Sequence, residues 1–234
     1  MGASTQYLNL FSELTEHLEA ELGRSDLRGQ FVRLLDAACD SPKLRHARPY
    51  RRRLEIHAQS RNAIVHIAGR DSHPIAEPLP ETFEELETLV TLIKCPPRLI
   101  PVFSRELRVF GADDRAADVL AYMKESDFSQ VVIRDEVGHH VLSREGIALW
   151  LHARIDADGA VLADDTTAGA MLRFEPVGTS QFIARDKTVF DATEAFRALP
   201  SGEVGRLSVL IVTRTGRGSE APLGLVTPWD LIRN

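Results

Sequence analysis

The chain has 234 residues, 44% of them hydrophobic and 26% charged, with a formal net charge of −6. That is the make-up of an ordinary globular chain, and it excludes disordered, collagen-like and rod-like coiled-coil classes. The length allows one large domain or two small ones.

Residues 6–38 alternate apolar and polar at helical spacing. Leu10, Leu14, Leu18 and Leu22 recur every four residues, and Phe31, Leu34, Leu35 and Ala38 continue after Gly29. Gly23 and Ser25-Asp26 read as a stop and a fresh cap. After Pro42 and Pro49 a helix is expected from about Arg51 to Ile67, ended by Gly69. The segment Asp71-Ser72-His73-Pro74 reads as a loop, and Pro80-Glu81-Thr82 opens a helix through Phe83, Leu86, Leu89, Val90 and Ile93. Pro96-Pro97 closes this stretch, because it can continue neither a helix nor a central strand. Residues 1–96 therefore read as an all-α helical bundle.

The second half changes period. Runs such as Val131-Val132-Ile133 and Val209-Leu210-Ile211-Val212 are β-branched, with helical stretches at about 114–124, 144–153, 188–199 and 228–234. An internal repeat emerges. One copy runs from Asp113 through strand 130–134, then Gly138 to Leu142, then a helix; the other runs from Arg185 through strand 208–213, then Leu223 to Val226, then a helix. Each copy holds a short strand, a helix, a strand pair and a helix, so the fold class is α+β: a helical bundle followed by an α/β pair. The expected divisions are 1–96, 97–155 and 156–234.

Charge is uneven. Residues 41–70 hold eight lysines and arginines against the single acid Glu55, with His46, His57 and His66 besides. Such asymmetry points to a local anionic partner or to bases paired with nearby acidic helices. His139-His140 are expected in an exposed turn. Cys39 and Cys95 are the only cysteines; without CxxC spacing they offer neither a disulfide framework nor a zinc site, and buried, reduced thiols are expected. No apolar run approaches the roughly 18 residues of a membrane helix. The start, MGASTQYLNLFSEL, lacks the basic region and apolar core of a secretory signal, so a cytoplasmic location with no membrane is expected.

The closing run Gly224-Leu225-Val226-Thr227-Pro228-Trp229-Asp230 and the segment Asp127-Phe128-Ser129-Gln130-Val131-Val132-Ile133 carry a resemblance. With the repeat around them, residues 102–234 resemble a tandem pair of CBS domains, the Bateman module. The resemblance implies an adenine nucleotide (AMP, ADP or ATP) or another adenosyl ligand as regulatory ligand, bound in the cleft between the repeats, with no cofactor required. Asp230 would hold the ribose and Thr227 would sit beside the phosphate. Ser129 and Ser208 would line the cleft, and Arg206 would reach the phosphates. Thr227-Pro228-Trp229-Asp230 is also the pattern of a helix N-cap with an acid three residues on, which needs no ligand. The first repeat departs from the pattern. Its segment Val141-Leu142-Ser143-Arg144-Glu145-Gly146 has Gly146 where the ribose acid belongs, and Glu145 points about 100° round the helix. One competent nucleotide site per pair is expected, with the other cleft empty or taking something else. No Walker-type phosphate loop is present, which argues against nucleotide hydrolysis by this half.

In the helical half, Arg61-Asn62-Ala63-Ile64-Val65-His66 resembles the Arg-x4-His motif of the HEPN family, in a helical domain of suitable size, with Glu77-Pro78 and the closing helix similar to its Arg-Asn-x-x-x-His subset. That resemblance implies metal-independent RNA cleavage in a dimer, the 2′-hydroxyl attacking the neighbouring phosphate. His66 would exchange protons near neutral pH, and Arg61 would offer its fork of donors to the phosphorane oxygens. Asn62, four residues before His66, shares its face and would orient the imidazole. The structural alternative is a stripe of Leu54, Ala58, Arg61, Val65 and Ala68, in which Arg61 pairs at an interface. Together the resemblances imply a homodimeric nucleotide sensor controlling a HEPN-like output with RNA as a partner, or else a non-catalytic ligand-sensing regulatory or interaction protein.

Overall fold

In a computed structural model the chain divides into two compact units, Met1–Pro97 and Arg98–Asn234. The structure describes residues 2–66, 77–155, 166–198 and 206–233, the side chains of His66 and Arg233 excepted. The expected stop at Gly69 and the loop Asp71–Pro74 lie outside the described residues.

The first unit is helical: α1 (Ala3–Leu22), α2 (Phe31–Asp40), α3 (Arg51–His66) and α4 (Pro80–Lys94), with 3-10 turns at Ser25–Leu27 and Arg45–Tyr50. The buried stripe of α1 is Tyr7, Phe11, Leu14 and Leu18. The expected every-four stripe held for Leu14 and Leu18 but not for Leu10 and Leu22, which are half-buried. The reason is geometric: a strict four-residue step overshoots a 3.6-residue turn, so its ends drift off the core. Leu14 and Leu18 pack with Leu34, Leu35, Leu54, Leu86, Leu89 and Ile93 in one core. Pro80 starts α4 at a position where its missing N–H costs nothing. Cys39 is buried as expected, but Cys95 is exposed just past α4.

The second unit holds two copies of one motif. Strand β1 (Val109–Gly111) runs parallel to β2 (Gln130–Arg134), which pairs antiparallel with β3 (His139–Ser143); α6 (Ala116–Glu125) connects the first two and α7 (Arg144–Arg154) follows the third. In the second copy β4 (Ser180–Ala184) is parallel to β5 (Val209–Thr213) and β5 antiparallel to β6 (Gly224–Val226), with α9 (Val189–Arg197) and α10 (Pro228–Arg233) in the matching places. The sequence anticipates β2, β5 and the four helices; β1 is too short to show a period.

Two short segments precede the copies, and they are exchanged. The segment α5 (Leu99–Val102) precedes β1, yet Leu99 and Phe103 are buried with Ala192, Leu210, Val212 and Val226 of the second copy. The segment α8 (Ala168–Leu172) precedes β4, yet Ala168 and Met171 are buried with Phe110, Val119, Ile133 and Trp150 of the first. The backbone repeats the exchange: Leu99 N–H donates to Lys187 O and Ala168 N–H to Asp114 O, both at 2.8 Å. Isolated bridges Arg98–Thr188 and Arg115–Thr167 complete the match. Between the sheets Val132 and Val141 meet Val209, Ile211 and Leu225 in a shared apolar layer. A cut at 155/156 therefore separates the chain but not the cores.

Candidate functional site

In the helical unit α3 carries the Arg-x4-His residues. Leu54, His57, Ala58 and Ile64 face the core, Arg61 is half-buried and Asn62 is exposed. Val65, placed by the sequence on the same stripe, is 36% exposed. Arg61 Nη1 donates to Asn62 Oδ1 at 3.1 Å. Asn62 thus engages the arginine; the His66 side chain, whose imidazole Asn62 is expected to orient, lies outside the described residues. Arg61 and Asn62 line a cleft of about 820 Å³ formed by α1, residues 28–30, the first turn of α2 and α3. Arg28 and Arg33 add charge to its wall, and Glu16 and Glu19 oppose it. Much of the basic block is neutralised at home: Arg51 pairs with Asp36 and Glu55, Arg53 with Glu85, Arg48 with Asp40 and Lys43 with Glu21. Of the two alternatives the charge asymmetry left open, these four bases follow the pairing with nearby acids.

Two histidines of that block are buried. The Tyr7 hydroxyl lies 2.8 Å from His57 Nδ1, and His57 Nε2 is 3.7 Å from Glu85. Burial lowers the His57 pKa, with Glu85 opposing. Burial also pushes the Tyr7 phenol up to about 12. His46 Nε2 lies 2.9 Å from the Ile93 carbonyl oxygen.

In the second unit the junction between β6 and α10 brings Thr227 and Asp230 together. The Thr227 amide and hydroxyl both donate to Asp230 Oδ2 at 2.7 Å. Thr188 and Asp191 repeat this arrangement at α9, each contact at 2.9 Å. The capping contact expected at Thr227 is therefore present, and Thr188 with Asp191 forms a capping box that the sequence reading did not single out. At Asp230 a further group arrives: Arg105, from the stretch between α5 and β1, donates to Leu225 O at 2.8 Å and to Asp230 Oδ1 at 3.4 Å. Sequence reasoning missed Arg105, since only the exchanged segment brings it there. Gly224 has a local reason: a Cβ there would sit 2.2 Å from the Phe103 carbonyl oxygen. Arg105, Gln130, Val131, Val132 and Leu225 line a cavity of only about 50 Å³. Small-molecule sites run from roughly 300 to 1,000 Å³, so a nucleoside enters only if Arg105 and its neighbours move.

The remaining expected site residues sit elsewhere. Ser129 is exposed and its carbonyl accepts from Arg144 N–H at 3.0 Å. The Ser208 hydroxyl donates to Thr179 O at 3.0 Å. Arg206 is exposed on the approach to β5. His139 corrects the expectation of an exposed turn: it is a buried β3 residue, its Nδ1 2.9 Å from Gly218 O. His140 is half-exposed and meets Asp135 at 3.0 Å.

The first-repeat junction follows the same plan with one exchange of residues. Ser143 caps α7, accepting from Gly146 N–H at 3.1 Å. The Ser143 amide and hydroxyl donate, each at 2.9 Å, to Glu175 Oε2. Glu175 comes from the stretch between α8 and β4, the counterpart of the stretch that supplies Arg105.

The second unit thus defines a class: paired sheet-and-helix repeats that exchange their leading segments. No family model matches the chain, and no curated protein matches it. Solved structures similar to it include CBS-domain proteins. A CBS-domain protein of unknown function from Thermoplasma acidophilum is 19% identical over 58% of this chain and 67% of its own, with a TM-score of 0.41. A CBS domain-containing protein from Kribbella flavida is 16% identical over 58% of this chain and 97% of its own, with a TM-score of 0.44. The CBS domain of a bacterial CNNM/CorC-family Mg²⁺ transporter, in complex with ATP, is 18% identical over 66% of this chain and 96% of its own, with a TM-score of 0.43. Among the described residues no helix is long and apolar enough to cross a membrane, and no cluster of metal-ligating side chains occurs.

Proposed function

We propose that residues 98–234 are a tandem CBS pair that senses an adenine nucleotide or another adenosyl ligand, and that they regulate a HEPN-like helical domain. The observation that carries this reading is the junction of Thr227, Asp230 and Arg105 within exchanged repeats. Asp230 Oδ2 is held by Thr227, which fixes the carboxylate and leaves Oδ1 toward Arg105. A ribose diol would donate to Oδ1, as carboxylates do in other ribose sites. The released guanidinium would then meet the phosphate, for which its planar fork is suited. Ser129, Ser208 and Arg206 keep a secondary place in this reading.

Calorimetric titration and thermal shift with AMP, ADP and ATP test it. A nucleotide at 100 times its Kd adds about 2.7 kcal/mol of stability. Asp230→Ala is expected to stay folded, to lose about 1 kcal/mol of capping and to lose the nucleotide-dependent shift entirely. A shift that survives in this variant overturns the site.

For the helical unit the reading is metal-independent RNA cleavage in a homodimer, with Arg61 on the phosphorane oxygens, His66 exchanging protons and Asn62 holding Arg61 in place. A non-catalytic sensor with a protein-binding helical half is the second reading. The pairing of Arg48, Arg51 and Arg53 with local acids favours it. RNA cleavage in excess EDTA, with and without ATP and AMP, separates the two. Loss of cleavage in His66→Ala supports the ribonuclease; no cleavage under any condition leaves the non-catalytic sensor.

A further inference from the structure

The two repeats differ at one position that the ligand reading depends on. In the second repeat Asp230 stands three residues after the capping Thr227; in the first, Gly146 stands three residues after the capping Ser143. By register the positions correspond, since β2 and β5 pair with β3 and β6 in the same way and each third strand runs into its capping residue. A carboxylate is nevertheless present at both. Glu175 Oε2 accepts from the Ser143 amide and hydroxyl, the same two donors that Asp230 Oδ2 takes from Thr227. A Cβ built on Gly146 would fall 2.1 Å from Glu175 Oε2 and 3.2 Å from its Cα. No side chain fits at 146 while Glu175 is in place, and the glycine is the space the glutamate needs.

The second oxygen of each carboxylate separates the clefts. Asp230 Oδ1 faces the partly exposed guanidinium of Arg105 at 3.4 Å, a partner that a phosphate can draw away. Glu175 Oε1 lies 3.2 Å from the Thr179 hydroxyl, whose one proton is shared with the Pro176 carbonyl oxygen at 3.0 Å, and the Thr179 carbonyl accepts from the Ser208 amide at 2.7 Å and its hydroxyl at 3.0 Å. The glutamate therefore arrives with its own backbone and both oxygens engaged, fastening the start of α7 to the start of β5.

We infer that Glu175 is the specificity-determining residue of the first cleft: it takes the place of the missing acid from the neighbouring linker and closes that cleft to ribose, leaving one nucleotide site per chain. The inference rests on the nucleotide reading of the second cleft only for its stoichiometry; the place of Glu175 stands or falls separately.

The test uses full-length wild type, Gly146→Asp, Glu175→Ala, Glu175→Gln and the double variant Gly146→Asp/Glu175→Ala. In thermal denaturation Gly146→Asp is expected to lower the midpoint by about 5 °C, as overpacking with a second carboxylate does. The double variant regains most of that loss, because the introduced carboxylate can hold Ser143 as Asp230 holds Thr227. Recovery stops short of wild type, since the Cα at 175 stays 3.2 Å from the new Cβ. Additive losses in the double variant overturn the shared place. In titration with AMP and ATP the wild type and Glu175→Gln are expected to take one equivalent per chain, and the double variant two. Adding Asp230→Ala should then remove one equivalent from each. Two equivalents in the wild type, or one in the double variant, overturn the closure while sparing the nucleotide reading. No binding in the wild type with one equivalent in the double variant upholds Glu175 and removes the second-cleft assignment. No binding in either removes the nucleotide reading, and the denaturation cycle alone then decides the place of Glu175.

Discussion

The two units place their polar groups differently. In the helical unit hydrogen-bonding side chains lie inside the bundle: Tyr7, His57 and His46 are buried among leucines. In the repeat unit they gather where a strand hands over to a helix, at Ser143, Thr188 and Thr227. The difference follows from the elements. A bundle buries one stripe of each helix along its whole length, so a polar residue on the stripe needs an internal partner. A sheet-and-helix repeat leaves unpaired amides at each helix start, and short hydroxyl and carboxyl side chains there satisfy them.

Two substitutions press this comparison hardest. Leu14 is fully buried at the centre of the bundle core. Leu14→Ala is expected to cost about 2–5 kcal/mol, read as a fall in the denaturant midpoint, without changing nucleotide binding by the second unit. In the repeats the sensitive position is a glycine. Gly224→Ala pushes a methyl against the Phe103 carbonyl oxygen and is expected to cost about 1–3 kcal/mol. His140, the β3 residue in the matching register, already carries a side chain, so His140→Ala should change stability by less than about 0.5 kcal/mol. Equal losses at 140 and 224 would show that the exchanged segment does not press on β6 as described.

How much of this is readable from sequence divides along the same line. Caps and glycines are local, so Thr227-Pro228-Trp229-Asp230 and Gly224 announce their junction within seven residues. The helices declare themselves through apolar spacing, though Leu10 and Leu22 show that the eye favours a period the helix does not keep. Glu175 and Arg105 are not named by any local pattern of their own, because each acts on a junction far away in the chain, 32 residues in one case and 125 in the other. A signal did exist for Glu175. A capping serine followed by glycine where an acid is expected leaves a gap that a linker acid can fill. His57 gives no such signal: it sits among arginines in sequence, yet it shares the buried stripe of Leu54, Ala58 and Ile64.

The smallest expected effect is the pH dependence, and it separates the units by range. His57 is neutral in the fold because burial lowers its pKa. The unfolded chain takes up a proton below about pH 6.5, and the folded chain does so only at lower pH. The unfolded state therefore binds more protons in that window, and stability falls as pH drops from 7 toward 5. His17, with its pKa also lowered by burial, adds in the same direction. In the repeat unit the shifted groups are carboxylates: the Gly138 amide holds Asp135 below its usual range, and the Thr215 amide does the same for Glu220. Their stabilisation is present above the ordinary carboxylate range and is lost only as pH falls below about 4. Denaturation followed from pH 7 to 5 should thus weaken the helical unit first, and His57→Gln should flatten that slope while keeping a polar group against Tyr7. A slope unchanged in His57→Gln would move the acid sensitivity away from the Tyr7–His57–Glu85 cluster, and with it the contrast between a bundle whose buried histidines respond first and repeats whose shifted carboxylates respond only in stronger acid.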